Sequence, residues 1–307
     1  MPKVLIATVK PFAPEAIKGM RELFNNVGYE TEVLEKYQEQ NDLIQAVENY
    51  DALVVRSDKV TKEVIDAASN LKIVVRGGAG YDNVDLEAAS VKNIVVMNTP
   101  GQNANAVAEL AFGMMVYQAR NQFNGKAGRE LMSKSLGLHA YGNVGKCMAR
   151  IAKGFAMEVS AFDPFLDKET IEQDGVKFMD NVEDLYRSNQ YVSLHIPANE
   201  ETRESINYNL LSLMPENGVL VNSARKEVIH EGDLLKIFNE RDDFQYVSDI
   251  APDCKEELQA KYNGRFYFTP KKMGAQTKEA NINAGLAAAK QIIAFFEKGD
   301  TNFQVNK

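Results

Sequence analysis

The sequence contains few of the residues on which several protein classes depend. Its 307 residues include only two cysteines, Cys147 and Cys254, and three histidines, His139, His195 and His230. Two cysteines give no disulfide framework, so we expect the protein to work in a reducing cytoplasm. So few histidines also leave few candidates for a histidine acid–base catalyst, and we expect no metal site.

Long apolar runs and excess positive charge are lacking as well. No apolar stretch approaches the length of a membrane span, and the N-terminus does not have the pattern of a secretion signal. The formal net charge is −8, so we expect binding to neither nucleic acid nor a membrane surface. An anionic ligand would therefore need a local site, such as a helix N-terminus or a single arginine.

Short apolar segments that suit strands alternate with amphipathic segments along most of the chain. This alternation predicts an α/β protein with two doubly wound parallel-sheet domains, Rossmann-like or flavodoxin-like, and a cleft between them. A wide apolar face over 104–123 predicts a long helix, buried between domains or against another subunit. A last helix is predicted over 278–298.

A glycine turn lies between a predicted strand at 136–139 and a predicted helix at 143–156. The pattern G-x-G-x-x-G fits at Ala140, Gly142 and Gly145, with alanine in place of the first glycine, which costs modest strain if its φ is negative. Asp163 follows the next predicted strand and could bind an adenosine ribose. The alternative is an ordinary turn that binds nothing. The predicted cofactor residues of this turn are Ala140, Tyr141, Gly142, Asn143, Val144, Gly145 and Asp163.

Other polar residues follow predicted strands, at the edge where parallel sheets bind ligands. Arg225 could pair with a carboxylate or polarise a carbonyl, and Asp249 could accept from a carboxamide. The segment 77–80, Gly-Gly-Ala-Gly, could form an anion nest, and Arg56 with Ser57 could bind phosphate. Each feature also has an explanation without a ligand. Arg225 could be a solvated surface side chain, Asp249 a turn cap, 77–80 a mobile loop, and Arg56 with Ser57 an unremarkable dipeptide. Pro197, Ser223 and Ala224 complete the predicted cofactor set with Arg225 and Asp249.

In this order, these segments resemble the D-isomer-specific 2-hydroxyacid dehydrogenases. The resemblance is carried by V-V-R-S-D-K-V-T (54–61), R-G-G-A-G-Y-D-N-V-D (76–85), V-M-N-T-P-G-Q-N-A-N-A-V-A-E-L (96–110), the 140–145 turn, S-L-H-I-P-A-N-E-E-T (193–202) and V-N-S-A-R-K-E-V-I (221–229). It implies NAD as the cofactor, a substrate-binding domain of 1–98 plus 274–307, and an NAD-binding domain of 99–273. It also implies a homodimer through the helix after Pro100, and no regulatory module after the last helix.

The segment around Arg56 is most similar to the subgroup that oxidises D-3-phosphoglycerate to 3-phosphohydroxypyruvate. The resemblance implies that Arg56 faces the substrate phosphate, with Lys59 as a weaker candidate. The predicted substrate residues are Arg56, Ser57, Gly78, Ala79, Arg225 and Lys271. Two alternatives stay open: a reductase for glyoxylate, hydroxypyruvate or another 2-keto acid, and a non-catalytic NAD-binding sensor or corepressor.

The sequence departs from the family at two catalytic positions. Where the family has histidine in a T-P-H-x-G segment, this chain has Lys271, followed by Lys272. Where the family has its glutamate, this chain has Cys254, and the nearest carboxylate is Asp253, with Glu256 and Glu257 further along the chain. We therefore predict Arg225, Lys271 and Asp253 as catalytic residues. Burial and neighbouring cations, among them Lys272 and Arg225, would lower the pKa of Lys271 and so allow it to act as a base.

Overall fold

The computed structural model describes residues 1–307 and divides them into two compact units. The first unit comprises 1–103 and 276–307, and the second comprises 104–275. These limits lie a few residues from the predicted domain boundaries. No helix is both long and apolar enough to cross a membrane.

The first unit is a five-stranded parallel sheet with helices on both faces. The strand order is β2-β1-β3-β4-β5. Strand residues are buried on both sides: along β1, Val4 and Ile6 belong to one apolar cluster, whereas Leu5 and Ala7 belong to the other. Its elements are β1 Lys3–Thr8, α1 Pro14–Asn26, β2 Glu30–Glu35, α2 Gln40–Ala46, β3 Ala52–Val55, α3 Lys62–Ala67, β4 Ile73–Arg76, α4 Leu86–Val91, β5 Val95–Asn98 and, from the end of the chain, α12 Lys278–Lys298.

The C-terminal helix α12 belongs to the first unit because it packs against α1. A methyl group on Gly19 would lie 2.6 Å from a side-chain carbon of Leu286, so glycine permits this close approach. Polar contacts fix both ends of α12: the amide of Ala13 donates to Asn281 at 3.1 Å, and the Tyr29 hydroxyl donates to Glu297 at 2.7 Å.

The second unit is a seven-stranded parallel sheet in the order β12-β11-β10-β9-β6-β7-β8, again between helices. Two apolar clusters cover its two faces. Its elements are α5 Ala104–Ala119, β6 Ser135–His139, α6 Asn143–Gly154, β7 Glu158–Phe162, α7 Lys168–Glu172, β8 Lys177–Phe178, α8 Val182–Ser188, β9 Tyr191–Leu194, α9 Tyr208–Leu211, β10 Val219–Asn222, α10 Glu231–Glu240, β11 Gln245–Ser248, α11 Lys255–Lys261 and β12 Phe266–Phe268. The predicted α/β architecture of two parallel-sheet domains is confirmed.

The predicted helix 104–123 is wrong at its C-terminal end, because α5 stops at Ala119. Asn121, Gln122 and Phe123 have φ values of 50°, 55° and 55°, which are incompatible with a right-handed helix. The Gln122 amide donates to the carbonyl of Phe266 at 2.7 Å and ties this turn to the sheet. The last helix is confirmed at Lys278–Lys298.

Candidate active site

The glycine turn joins β6 to α6 at the point where the strand order of the second sheet reverses. Gly142 precedes α6, and no side chain caps the first turn of this helix. Its amide groups therefore provide a positive helix end that suits an anion such as pyrophosphate. Only modest strain is expected at Ala140 if its φ is negative. Its φ is 77°, so this alanine instead adopts the left-handed conformation that favours glycine.

The carboxylate of Asp163 is buried against the turn. One oxygen accepts from the amide of Tyr141 at 2.8 Å, and the other accepts from the amide of Phe165 at 2.9 Å. The Tyr141 side chain points away from this carboxylate, and its hydroxyl donates to Asp174 at 3.0 Å. The carboxylate thus shapes the turn and keeps further lone pairs for a hydroxyl ligand.

A cavity of about 390 Å³ opens beside the ends of β6, β7 and β9. Its walls include His139, Phe162 and Ile196, and its rim includes Thr202. The Thr202 hydroxyl donates to the carbonyl of Pro197 at 2.6 Å and so fixes the loop after β9. The mixture of apolar walls and a polar rim is typical of small-molecule pockets.

Arg225 follows β10 in a turn that Asn222 organises. The Asn222 side chain accepts from the amide of Ala224 and donates to the carbonyl of Arg225, both at 2.9 Å. The Arg225 guanidinium donates to the carbonyl of Ala224 at 3.1 Å and forms no ion pair, so its charge is available to a ligand. Ser223, next to this turn, is buried.

Lys272 lies beside Arg225. The Lys272 ammonium donates to the same carbonyl of Ala224 at 2.6 Å. Desolvation and the nearby Arg225 charge lower the pKa of Lys272 to about 8, although Asp249 and Glu227 oppose the shift. The side chains of Lys271 and Lys272 are both exposed, and that of Lys271 makes no hydrogen bond or ion pair.

Asp249 holds the loop that carries both lysines. Its carboxylate is buried and accepts from the amides of Met273 and Gly274 at 2.9 and 2.7 Å, while the Thr269 hydroxyl lies 3.0 Å away. A methyl group on Gly274 would lie 2.8 Å from this carboxylate. Asp249 is thus a structural clamp in this unit, besides the role toward a carboxamide that the sequence predicts.

Near Cys254, the carboxylates of Asp253 and Glu257 form ion pairs with lysines other than the predicted Lys271. Asp253 is exposed and pairs with Lys226 at 2.5 Å. A different carboxylate, that of Glu231, accepts from the amides of Asp253 and Cys254 at 2.8 and 2.7 Å. Burial and the charge of Glu231 raise the pKa of Cys254 to about 12, so this thiol stays protonated. Glu257 pairs with Lys261 at 2.8 Å, and Glu256 is exposed.

In the first unit, two arginines stand at the ends of neighbouring strands. Arg56 directly follows β3, and Arg76 ends β4 and pairs with Val55 in the parallel register. The Arg56 guanidinium donates to the carbonyls of Lys10 and Pro11 at 3.1 and 3.0 Å, and desolvation lowers its pKa. Arg76 is not among the residues predicted from the sequence, although the segment V-V-R, which occurs at both 54–56 and 74–76, is a signal for it.

The glycine loop after β4 packs against Arg76. Gly78 has a φ of 152°, a backbone conformation that favours glycine. A methyl group there would lie only 1.6 Å from the Arg76 guanidinium, so a larger residue would also displace the Arg76 side chain. The carbonyl of Ala79 accepts from Asn98 at 2.7 Å, while no protein acceptor binds the amides of Ala79 and Gly80. These amides are suited to an anion. Ser57 and Lys59 are exposed beside Arg56.

Two glycines of the turn allow a matched test. A methyl group on Gly145 would lie 2.6 Å from the carbonyl oxygen of Ala140, whereas one on Gly142 would meet no protein atom within 4 Å. We expect Gly145→Ala to lower the free energy of unfolding by about 1–3 kcal/mol, because the helix must move away from the turn. Gly142→Ala should cost less stability, because it adds no clash and only replaces the N-cap glycine of α6 by alanine, but it should weaken dinucleotide binding, since its methyl group points into space that a pyrophosphate needs.

Thermal denaturation and titration with NADH check both variants. Equal loss of stability in the two variants would contradict the packing difference. Unchanged NADH affinity in Gly142→Ala would show that the turn does not contact the dinucleotide.

Comparisons with known proteins agree with this arrangement. The family described as D-isomer specific 2-hydroxyacid dehydrogenase, catalytic domain, matches residues 4–306. A D-3-phosphoglycerate dehydrogenase of Methanocaldococcus jannaschii is 35% identical over 94% of this chain, which spans 57% of that protein. A hydroxypyruvate reductase of Thermotoga maritima is 34% identical over 86% of this chain and 90% of its own length.

A solved structure gives the same relation. The NAD+-bound 3-phosphoglycerate dehydrogenase of Entamoeba histolytica is 45% identical, with a TM-score of 0.86, and the alignment covers 100% of this chain and 99% of that one. The family match over nearly the whole chain, on a fold of two parallel sheets, is decisive: the chain belongs to the D-isomer-specific 2-hydroxyacid dehydrogenases.

Proposed function

We propose that the protein catalyses hydride transfer between NAD and a phosphorylated 2-hydroxy acid, with D-3-phosphoglycerate and 3-phosphohydroxypyruvate as the substrate pair. The observation that carries the substrate class is the pair Arg56 and Arg76 at neighbouring strand ends, beside free loop amides. Two guanidinium groups suit a phosphate dianion. The phosphoglycerate dehydrogenases among the similar proteins support the same choice.

NAD binding is supported by the second unit. The turn 140–145 offers uncapped helix amides to a pyrophosphate, and Asp163 offers lone pairs to the adenosine ribose. A carboxylate at that position repels a 2′-phosphate, so we propose NAD rather than NADP. Bound NAD supplies the hydride acceptor. Pro197, Ser223 and Asp249 complete the proposed cofactor contacts, with Asp249 accepting from the carboxamide.

Arg225 is proposed to bind the substrate at the reacting end, where it pairs with the carboxylate and polarises the C2 oxygen. In the first unit, the free amides of Ala79 and Gly80 suit an anionic group of the substrate, and Arg56 and Arg76 are proposed to bind its phosphate. Lys59, which is exposed, contributes less.

The acid–base group is proposed to be Lys272, because its ammonium shares the Ala224 carbonyl with Arg225. In the oxidation, the neutral amine takes the hydroxyl proton while hydride leaves C2 for NAD, so that a keto acid, NADH and a lysine ammonium result. Lys271, the residue that the sequence predicts, lies one position away and is the competing candidate. Asp253 has no part in this proposal, since it pairs with Lys226.

Two further features belong to the proposal. A homodimer would form through α5, and the protein would act in the cytoplasm. Reduction of hydroxypyruvate is the second candidate activity, because the Thermotoga maritima hydroxypyruvate reductase matches over 90% of its length.

Phosphohydroxypyruvate and hydroxypyruvate differ only in the phosphate and form a matched substrate pair. With NADH at 340 nm, we expect turnover of the phosphorylated substrate and a KM about 10–100-fold higher in Arg56→Ala and Arg76→Ala, with hydroxypyruvate kinetics unchanged. Lys59→Ala serves as the control and should change this KM much less.

Equal losses on both substrates would refute a phosphate role for the two arginines. Absence of turnover with any 2-keto acid, together with tight NADH binding, would favour the sensor alternative. Because Arg76 packs over Gly78, Arg76→Lys and a melting curve should accompany the alanine variant.

The pH dependence of catalysis should follow the protonation of the Lys272 side chain. Since oxidation needs the neutral amine, kcat/KM for D-3-phosphoglycerate should rise about tenfold per pH unit below pH 8 and level off above it. Reduction needs the ammonium and should decline above the same pH. Lys272→Met should abolish turnover and retain NADH binding, whereas Lys271→Met should keep both the activity and the pH profile.

The paired variants also decide between the two lysines. An active Lys272→Met together with an inactive Lys271→Met would return the acid–base role to Lys271. A pH profile without a transition near 8 would remove the titration of Lys272 from the mechanism.

A further inference from the structure

Two histidines flank the point at which the strand order of the second sheet reverses. His139 is the last residue of β6, and His195 directly follows β9, the neighbouring strand. The amide of His195 donates to the carbonyl of His139 at 2.9 Å. Open parallel sheets bind ligands at this reversal, so these residues stand where a dinucleotide crosses the sheet edge.

The His195 ring has one satisfied nitrogen and one unsatisfied nitrogen. Nδ1 lies 3.4 Å from the hydroxyl of Ser223, at the end of β10. Nε2 is buried and has no hydrogen-bond partner in the protein. Buried polar atoms without a partner are rare, because burial removes the water that would otherwise bind them. A hydrogen bond to a ligand atom would supply the partner that Nε2 lacks in the protein.

The protonation state of His195 decides what Nε2 can do. Burial, with a smaller contribution from His139, lowers the pKa of His195 to about 3, so the ring is neutral near pH 7. A neutral imidazole carries one hydrogen. When the Ser223 hydroxyl donates to Nδ1, that hydrogen resides on Nε2 and makes Nε2 a donor.

The position of His195 indicates which half of the dinucleotide it meets. His195 contacts Ser223 at the end of β10, while Asp163 stands at the end of β7 on the other side of β6. Asp163 is the proposed partner of the adenosine ribose. His195 therefore lies toward the half that carries the nicotinamide.

We infer that Nε2–H of His195 donates a hydrogen bond to an oxygen of the bound dinucleotide on its nicotinamide side, either a ribose hydroxyl or the adjoining phosphate. The inference rests on the proposed NAD binding. It makes His195 a cofactor-binding residue, with Ser223 as the residue that positions its hydrogen.

Two substitutions of His195 by amide residues distinguish the roles of its two ring nitrogens. In His195→Asn the side-chain amide can still meet Ser223 but does not reach the Nε2 position, whereas in His195→Gln the amide nitrogen can reach it. Titrations use NADH, followed by its fluorescence, and AMP, which contains only the adenosine half. We expect His195→Asn to bind NADH about tenfold more weakly and His195→Gln to bind nearly as wild type, with AMP affinity unchanged in both.

The outcomes are distinguishable. NADH affinity of His195→Asn equal to that of the wild type would overturn the inference, as would an equal loss of AMP affinity. Failure of the wild type to bind NADH would refute the proposed function itself. If melting shows that His195→Asn does not fold, His195→Leu carries the test, because leucine fills the buried site but has no nitrogen: weaker NADH binding with unchanged AMP binding supports the inference, and unchanged NADH binding contradicts it.

Discussion

Parallel hydrogen bonding between strands is the constraint on which the rest of this structure depends. It buries the central strands on both faces, so the interiors of these strands consist almost entirely of apolar residues, as in β1 and β10. Polar chemistry can then appear only where a strand ends. Because all strands of a sheet run in one direction, those ends share one edge, and residues far apart in sequence, such as Asp163, Arg225 and Asp249, reach the same edge of the second sheet.

This constraint explains how much of the fold and of the candidate site could be predicted from the sequence. Strand ends are visible in the sequence as apolar runs followed by a polar residue or glycine, and Arg56, Asp163, Arg225 and Asp249 all follow strands in the structure as that pattern predicts. The α/β class and the last helix follow from periodicity alone. Arg76 could have been predicted in the same way, because the segment V-V-R occurs at both 54–56 and 74–76.

Other features depend on side-chain geometry that no pattern contains. The choice between Lys271 and Lys272 depends on which ammonium turns toward the carbonyl of Ala224, and adjacent loop residues differ in this without any sequence signal. Asp253 pairs with Lys226, a partner 27 positions away in the chain. The left-handed conformation of Ala140 is likewise not visible in the sequence; it accompanies a turn in which the amide of Ala140 donates to the carbonyl of Phe162 at 2.9 Å.

The carboxylate of Asp249 has a consequence for how this active site could change in evolution. It binds the loop at Thr269 and again at Met273 and Gly274, so the two ends of the loop are anchored to one rigid point. The residues between these anchors can then vary in number and type without displacing the strands. Three residues separate Pro270 from Gly274 here, where the family's T-P-H-x-G segment has two. A loop anchored in this way can exchange a histidine for a lysine at a shifted position while the scaffold that surrounds it is preserved, as the proposed role of Lys272 requires.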